Sequence, residues 1–217
     1  MTTVCCVWVR ANVPYPVTYV SRLRSMVTRH MDRPFTFACV TDRPSQLPAG
    51  VKAIEIQDFP KGTSGWWAKI RVFRPHLFTG RVLYLDLDVL VRASLAPILD
   101  YPSGFALVPD AGTFQGRNGL KVVKRFNSSV MVWDAGCDLA TRVWDTYTPA
   151  TPMRLWGDQD HIGEQIPEAT TMPAEWFPRI SDLQGEPPTD PVKVVLVKKP
   201  KNEQAAELYP WVREVWQ

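Results

Sequence analysis

Two acidic side chains separated by one residue, Asp86 and Asp88, are the first group in the sequence that could do chemistry. Both lie in an apolar run, so we expect a buried strand over Arg81–Val91 that carries them on the same side. Two like charges about 6–7 Å apart in a sheet are costly unless a cation neutralises them. Carboxylate oxygens are good ligands for Mg²⁺ and Mn²⁺, ions that also bind diphosphates. The pair therefore predicts a site for Mn²⁺ or Mg²⁺, although such aspartates could also cap loops or pair with arginines.

The elements that must position this pair alternate between strands and helices. Apolar residues at helical spacing predict an amphipathic helix over Val17–His30, and short apolar runs predict strands. Besides Arg81–Val91, the predicted strands are Val4–Val9, Phe35–Val40, Val51–Ile56, Phe105–Val108, Ser129–Trp133 and Val192–Val197. Further helices are predicted over Trp67–Leu77 and Cys137–Tyr147 and from Asp158, and a glycine-rich loop over Gly112–Gly119. This order favours an α/β fold with a mainly parallel sheet, which binds ligands at the carboxyl ends of its strands.

Composition limits the class of protein. The chain has 217 residues, of which 45% are hydrophobic and 22% charged, as expected for one globular domain over residues 1–217. A net charge of +3 with interspersed signs argues against a nucleic-acid partner, despite 9 tryptophans. The 4 cysteines show neither a CxxC pair nor zinc-site spacing. No signal peptide or apolar stretch of about 18 residues is recognisable, so we expect a cytoplasmic protein with core thiols.

The residues around the aspartates resemble a known family. Residues 66–91, WWAKIRVFRPHLFTGRVLYLDLDVLV, are similar to the donor-binding segment of nucleotide-sugar glycosyltransferases with the GT-A fold. The likeness is to the glycogenin-like family (glycosyltransferase family eight) and its bacterial relatives. Three further segments follow in the family's order: Val108–Asp110, Phe126–Val132 and Trp156–Asp160. The resemblance, which spans residues 4–165, implies a GT-A fold, with a Rossmann-like, mainly parallel sheet flanked by helices.

The resemblance also implies roles for individual residues. Asp86 and Asp88, the DxD motif, would bind the metal ion on the donor diphosphate, and Asp86 would also lie near the ribose. Asp158 and Gln159 would act at the reaction centre, near the anomeric carbon and the acceptor, although Asp158 could also be a helix N-cap. Lys69 would contact the diphosphate or a sugar hydroxyl, with an exposed helix lysine as the alternative.

The remaining donor-binding residues follow from the same resemblance. Short side chains on loops would hydrogen-bond the sugar hydroxyls, with turn formation as the alternative reading. These residues are Asp110, Asn127 and Ser128. The nucleobase would lie against the loop after the first strand, and Asp42 could bind the base or ribose. The loop residues are Val9, Arg10, Asn12 and Tyr15.

One part of the family pattern is missing. Relatives usually carry a histidine near the last strand that completes the metal site, but this chain has Lys198, Lys199 and Lys201 there. We expect Lys198 and Lys201 to bind the diphosphate and the metal to be held loosely, unless these lysines are a solvated strand end. His161 is the other nearby candidate, but a histidine in this setting is more often a surface or loop residue. Ser129 also stands where many relatives have glycine.

Two functions are consistent with these residues. The first is a metal-dependent enzyme of hexosyltransferase type that moves a sugar from a nucleoside diphosphate sugar, with UDP expected, to a hydroxyl acceptor. The acceptor could be a glycan, a lipid-linked sugar or a protein. The alternative is a non-catalytic GT-A-like domain that binds a sugar nucleotide or a glycan partner. A nucleotidyl transferase would need a glycine-rich loop after the first strand, and residues 10–14 contain no glycine. Membrane contact through the Trp- and Lys-containing tail stays open, without a strongly amphipathic helix to support it.

Overall fold

The computed structural model describes residues 1–11, 15–57, 64–115, 121–198 and 201–217, with the backbone alone for 111–115 and 121–125. The strands are β1 (Thr2–Trp8), β2 (Thr36–Thr41), β3 (Lys52–Glu55), β4 (Arg81–Leu85), β5 (Leu90–Val91), β6 (Phe105–Gln115), β7 (Lys121–Asp134), β8 (Thr170–Thr171) and β9 (Val194–Val195). The α-helices are α1 (Thr18–His30), α2 (Ala96–Leu99), α3 (Asp138–Asp145), α4 (Thr151–Arg154), α5 (Asp158–Gln165), α6 (Asn202–Leu208) and α7 (Pro210–Val215). Short 3₁₀ helices span Pro44–Gln46, Gly65–Phe73, Ala174–Trp176 and Ile180–Leu183.

A seven-stranded sheet forms the centre of the fold, in the order β3-β2-β1-β4-β7-β6-β8. The first four of these strands pair in parallel, β7 is antiparallel to β4 and β6, and β8 is parallel to β6. β1 and β4 are apolar on both faces because helices cover both sides of the sheet. Strands β5 and β9 form a separate antiparallel pair. The mainly parallel α/β sheet predicted from the sequence is therefore confirmed.

The two faces of the sheet carry separate cores. On one face, α1 buries Val20, Leu23 and Val27, which recur at helical spacing, together with the C-terminal helices. On the other face, the 3₁₀ helix Gly65–Phe73 packs with α3 and α5. Three cysteines lie in these cores as free thiols, as expected: Cys5, Cys6 and Cys39.

Several element boundaries differ from the predicted ones. Pairing of β4 with β7 ends at Leu85, so Asp86 and Asp88 lie in a turn after the strand and not within it. The segment predicted as a helix over Trp67–Leu77 is a 3₁₀ helix that ends at Phe73, shortly before Pro75, which lacks the N–H a helix needs. Residues 112–115, predicted as loop, belong to β6, which extends as a long hairpin with β7.

The C-terminal tail is packed into the fold. Trp211 and Trp216 are buried, and the Trp216 ring lies edge-on to Tyr19 of α1 with centroids 5.1 Å apart. Arg22 stacks over the same ring, its Cζ atom 3.8 Å from the centroid. These tryptophans are therefore not available for the membrane contact left open by the sequence. Within the described ranges, no helix has both the length and the apolar character needed to cross a bilayer.

Candidate active site

A buried lysine joins three elements at the carboxyl ends of the central strands. The Nζ atom of Lys69 lies 3.0 Å from Oδ1 of Asp86 and 3.0 Å from Oδ2 of Asp158, and it donates to Oγ of Ser128 at 3.0 Å. Burial alone would lower the pKa of Lys69, but the charges of Asp158 and Asp86 outweigh it and raise the pKa above its usual value. The lysine is therefore a fixed cation, and the alternative of an exposed helix lysine is wrong.

The turn after β4 directs the two aspartates to different partners. The backbone N–H of Asp86 donates to the carbonyl of Ser129 at 2.8 Å, one residue beyond the strand, and the chain then turns. Oδ1 of Asp86 accepts a 2.7 Å hydrogen bond from the hydroxyl of Tyr84. Burial and the Asp86 charge raise the pKa of that hydroxyl, so Tyr84 remains a donor. The expected placement of both aspartates on one side of a strand is wrong, because sheet pairing stops before them.

Asp88 is held by groups from both ends of the chain. Its Oδ2 atom accepts a 2.6 Å hydrogen bond from the hydroxyl of Tyr15 and lies 3.0 Å from Nζ of Lys201, which also contacts the Tyr15 hydroxyl. Burial and the neighbouring Asp86 charge raise the pKa of Asp88, while Tyr15 and Lys201 counteract part of that rise. Tyr15, expected near the nucleobase, is therefore a direct partner of the acidic pair.

A bulge in β7 brings Ser128 to Lys69, Asp86 and Asp158, and these four residues are called the Lys69 cluster below. The register between β6 and β7 shifts from the pair Leu107–Met131 to Val108–Asn127, so residues 128–130 have no β6 partner. A bulge of this kind re-aims side chains, and Ser128 Oγ donates to Oδ2 of Asp158 at 2.7 Å. Its backbone N–H points to Oε1 of Gln159 at 3.4 Å. The bulge thus joins β7 to the start of α5.

Asp158 is the first residue of α5, and Gly157, not Asp158, occupies the N-cap position. The N-cap reading of Asp158 is therefore wrong, and its carboxylate is used by Lys69 and Ser128. His161, one turn along α5, is fully buried, and its Nε2 lies 3.0 Å from the carbonyl of Val143. The expectation of a surface or loop histidine is wrong, since its side chain lies in the core.

These groups line one open cleft with a volume of about 280 Å³. Along its floor lie the residues already described: Tyr15, Lys69, Tyr84, Asp86, Asp88, Ser128, Asp158 and Gln159. At its mouth lies Trp66, which is 51% exposed and donates from Nε1 to the carbonyl of Trp156 at 3.2 Å. Trp156 is also 51% exposed. The cleft therefore combines a charged, hydrogen-bonded floor with indole surface beside Asp158.

A second depression, of about 300 Å³, contains two of the expected sugar-binding residues. Asp110 lies there with Asn127, and its Oδ1 accepts a 2.8 Å ion-pair hydrogen bond from Arg179. Oδ1 of Asn127 accepts from the backbone N–H of Ser129 at 2.8 Å, which fixes the bulge. Because Asn127 directly precedes Ser128, the two depressions adjoin along β7, but Asp110 does not join the Lys69 cluster.

The expected nucleobase residues lie at the ends of β1 and β2. The backbone N–H of Arg10 donates to Oδ1 of Asp42 at 2.9 Å. Val9, the residue before Arg10, is fully buried. Val9, Arg10 and Asp42 are not among the described residues that line the cleft, whereas Tyr15, from the same expected set, is. Asn12 and Lys199 lie outside the described residues, and Lys198 is exposed after β9.

The side chains present do not fit a tightly held divalent ion. Among the described residues, no group of three or more His, Cys, Asp and Glu side chains converges. Two carboxylates with donor phosphates could suffice for Mg²⁺, but here Asp86 and Asp88 each lie 3.0 Å from an ammonium group, of Lys69 and Lys201 respectively. A divalent ion would face both positive charges at close range. The Mn²⁺ or Mg²⁺ expected from the sequence stays a prediction.

Sequence reasoning missed two groups at this edge of the fold. Tyr84 lies two residues before Asp86, and residues at this spacing share a face of a strand, so its contact could have been anticipated. Arg179 carries no such signal, since it reaches Asp110 from a distant loop only through tertiary packing.

Comparison with known proteins identifies the fold. No protein-family model matches the chain, and no curated protein matches it in sequence. Among solved structures, the galactosyltransferase LgtC in complex with donor and acceptor sugar analogs is 15% identical, with a TM-score of 0.64 over 99% of this chain and 96% of that one. The glycosyltransferase GlyE of Streptococcus pneumoniae TIGR4 is 13% identical, with a TM-score of 0.63 over 100% of this chain and 66% of that one.

The bifunctional glycosyltransferase WbbM is likewise similar, at 14% identity and a TM-score of 0.61 over 99% of this chain and 51% of that one. All three are glycosyltransferases, and the chain has their GT-A fold. The fold expected from the sequence resemblance is thus confirmed.

Proposed function

We propose that the chain is a glycosyltransferase that moves a sugar from a nucleoside diphosphate sugar to a hydroxyl acceptor. The observation that carries this proposal is the Lys69 cluster, which places two carboxylates, a cation and a serine hydroxyl at the carboxyl ends of strands in a GT-A fold. In α/β sheets this edge is where ligands bind. The structurally similar proteins named above are glycosyltransferases, which supports the same reaction class.

The proposed transfer breaks the bond between the anomeric carbon and the β-phosphate oxygen and forms a bond from that carbon to the acceptor oxygen. The nucleoside diphosphate leaves, and the proton of the acceptor hydroxyl passes to the leaving diphosphate or to solvent. We assign Asp158 and Gln159 to the reaction centre, because both line the cleft beneath the exposed Trp66. Lys69 fixes the orientation of Asp158 and Asp86 and offsets their negative charge.

One observation favours a second candidate, a domain that binds a sugar nucleotide or glycan without transfer. Lys201 already neutralises Asp88, at the position where a catalytic metal ion is expected from the sequence. A site altered in this way could retain binding and lose turnover.

A thermal-shift panel with UDP, GDP, CDP, ADP, dTDP and their common sugar conjugates tests both candidates. Each ligand is measured in EDTA, Mg²⁺ and Mn²⁺, so the panel also tests the expected UDP preference and metal requirement. A ligand at 100 times its Kd stabilises the folded state by roughly 2.7 kcal/mol. We expect a sugar nucleotide to raise the melting temperature and to be turned over with release of nucleoside diphosphate. Stabilisation without release, across a panel of sugar acceptors, would favour the binding domain. No stabilisation by any nucleotide would contradict both the transferase and a domain that binds sugar nucleotides.

A further inference from the structure

We propose that the ammonium group of Lys201 takes the place of a divalent cation at Asp88 and binds the donor diphosphate directly, so that donor binding does not require a metal ion. This inference rests on the proposed function, since it concerns the counter-charge of the same sugar nucleotide.

The contacts of Lys201 carry the argument. Its Nζ atom lies 3.0 Å from Oδ2 of Asp88, contacts the hydroxyl of Tyr15, and lies 4.5 Å from the centroid of the Tyr15 ring. The carboxylate of Asp88 and the phenol of Tyr15 therefore both contact this single cation. A divalent ion bound by Asp88 would have to displace this ammonium or approach it closely against Coulomb repulsion.

Tyr15 strengthens this arrangement. Its hydroxyl donates to Oδ2 of Asp88 at 2.6 Å. With a phenol and an ammonium both directed at Oδ2, the carboxylate has the charge partner and hydrogen-bond donors that a buried anion needs. Asp88 therefore does not need a metal ion to offset the cost of its burial.

Lys201 is partly exposed beside Asp88, which lines the cleft. Its side chain is 38% exposed, compared with 16% for Asp88, so the ammonium is the more open member of the pair. An ammonium is a compact charge with three donors, and it can hold a carboxylate oxygen and a phosphate oxygen together. Asp88 and Tyr15 thus orient Lys201, and the one donor left over can meet the diphosphate.

The position of Lys201 is fixed by packing and is not that of a loose tail. The residue directly precedes α6, where the hydroxyl of Tyr19 donates to Glu203. The following helix α7 ends beside Trp216, whose ring packs on Tyr19 and under Arg22. Since α1 carries both Tyr19 and Arg22, the C-terminal segment is anchored on the main core. The ammonium is therefore held in place before any donor binds.

Substituting a single charge for a double one has a measurable consequence. A lysine offers half the charge of Mg²⁺ and no coordination bonds, so the donor is held mainly by ion pairing. An ion pair between the partly exposed Lys201 and the diphosphate is screened by salt. The affinity for the donor should therefore fall as ionic strength rises.

Titration calorimetry with UDP, or with the diphosphate that stabilises the protein most in the panel, tests the inference. Each protein is measured in EDTA and again with Mn²⁺. We expect the wild-type affinity to be the same in both. Lys201→Gln keeps a polar, hydrogen-bonding side chain but removes the charge, so it should bind roughly tenfold more weakly in EDTA. With Mn²⁺ it should regain affinity, because Asp88 is then free to bind the ion.

The matched control is Lys52→Gln, which removes the same charge from an exposed position at the start of β3, the opposite end of the sheet from the cleft. It should bind UDP as the wild type does under both conditions. Melting temperatures without ligand report whether each variant is folded. The comparison of wild-type affinity in EDTA and in Mn²⁺ needs no variant.

Two results would overturn the inference and leave the proposed function intact. One is loss of diphosphate binding by the wild type in EDTA with recovery in Mn²⁺, and the other is unchanged binding by Lys201→Gln in EDTA. Failure of the wild type to bind any nucleoside diphosphate or sugar nucleotide, with or without metal, would instead remove the proposed function itself.

Discussion

The Nζ atom of Lys69 lies 3.0 Å from Oδ2 of Asp158, and this contact ties the 3₁₀ helix Gly65–Phe73 to the first residue of α5. Both side chains are only 7% exposed. Removing one member of a buried ion pair leaves the other charge without compensation, which is more costly than the pair itself is stabilising. The Lys69 cluster is therefore a structural junction as well as a candidate site.

We expect Lys69→Met to lower the free energy of unfolding by about 3–5 kcal/mol, because Asp158 and Asp86 lose their shared cation. Chemical denaturation monitored by tryptophan fluorescence measures this change. Lys52→Met, at an exposed position, serves as the control for loss of one positive charge. A loss of stability no larger than in the control would mean that water already compensates Asp158, and the junction would have no structural importance.

The catalytic assignment is tested separately at Asp158. Asp158→Asn keeps the volume of the side chain and an acceptor for Ser128, but removes the charge near the reaction centre. We expect turnover to fall much more than donor affinity, since a group that acts chiefly in the transition state affects kcat. Steady-state release of nucleoside diphosphate gives kcat, and calorimetry gives the Kd of the donor.

Asp145→Asn, on the exposed side of α3, controls for loss of one negative charge elsewhere. If Asp158→Asn lowered kcat and donor affinity by the same factor, Asp158 would be a binding or structural residue, and the reaction centre would have to be assigned to another group.

Much of the fold could be predicted because its central strands are apolar on both faces. The predicted strand Val4–Val9 and helix Val17–His30 match the observed β1 and α1 to within two residues at each end. The helix predicted from Asp158 is α5, which begins at that residue. Strong periodic patterns of this kind determine local structure, because one burial arrangement satisfies the whole segment.

Pairing partners were harder to predict than the elements themselves. Val192–Val197 reads as one more strand, yet the strand is only Val194–Val195, which pairs with β5 instead of the main sheet, and Leu196 adds a single bridge to Arg179. The length of β6 and β7 also depends on their pairing with each other, since neither has the apolar run of a buried strand over its full length. Such contacts join distant parts of the chain and leave no local signal.

In the candidate site, too, the residues could be predicted from local motifs, but their contacts could not. Asp86, Asp88, Asp158 and Lys69 were recognised from motifs, and the structure brings all four to one cleft. Of the two lysines expected to bind the diphosphate, the structure shows Lys201 in contact with Asp88 and Lys198 exposed. No pattern in the sequence distinguishes the two, because their difference depends on where α6 begins to pack.

A buried histidine should make stability depend on pH. Burial lowers the pKa of His161 below its usual 6.5, so the folded protein releases its proton more readily than the unfolded chain does. The unfolded state then binds more protons as pH falls below about 6.5, and the free energy of unfolding decreases in that range. The contribution is fully present above the unfolded-state pKa.

Denaturant titrations from pH 8 to pH 5 measure this dependence. We expect His161→Gln to have a lower stability at neutral pH and a flatter profile between pH 7 and pH 5. His76→Asn, at an exposed position with φ of 63°, is the control, because asparagine tolerates that backbone conformation. An equally steep profile in His161→Gln would assign the pH dependence to other groups, such as His30, whose pKa burial also lowers.

The exposed indole at the cleft mouth should contribute to acceptor binding. Trp66 is 51% exposed although it lines the cleft next to Asp158, and its Nε1 is fixed by the carbonyl of Trp156. An apolar surface held in place at the entrance can bury the C–H face of an acceptor sugar. Burying a large apolar side chain is favourable by about 1.5–3 kcal/mol, so Trp66→Ala should raise the KM for a sugar acceptor roughly tenfold or more.

The Kd of the donor in the same variant should remain close to that of the wild type, because the charged floor of the cleft is unaltered. Trp66→Phe should fall between Trp66→Ala and the wild type, since a smaller ring retains part of the apolar face. Leu208→Ala removes apolar surface from a position that is 61% exposed at the end of α6, and should change neither constant. A rise in donor Kd with no change in acceptor KM would instead place Trp66 on the nucleotide side of the cleft.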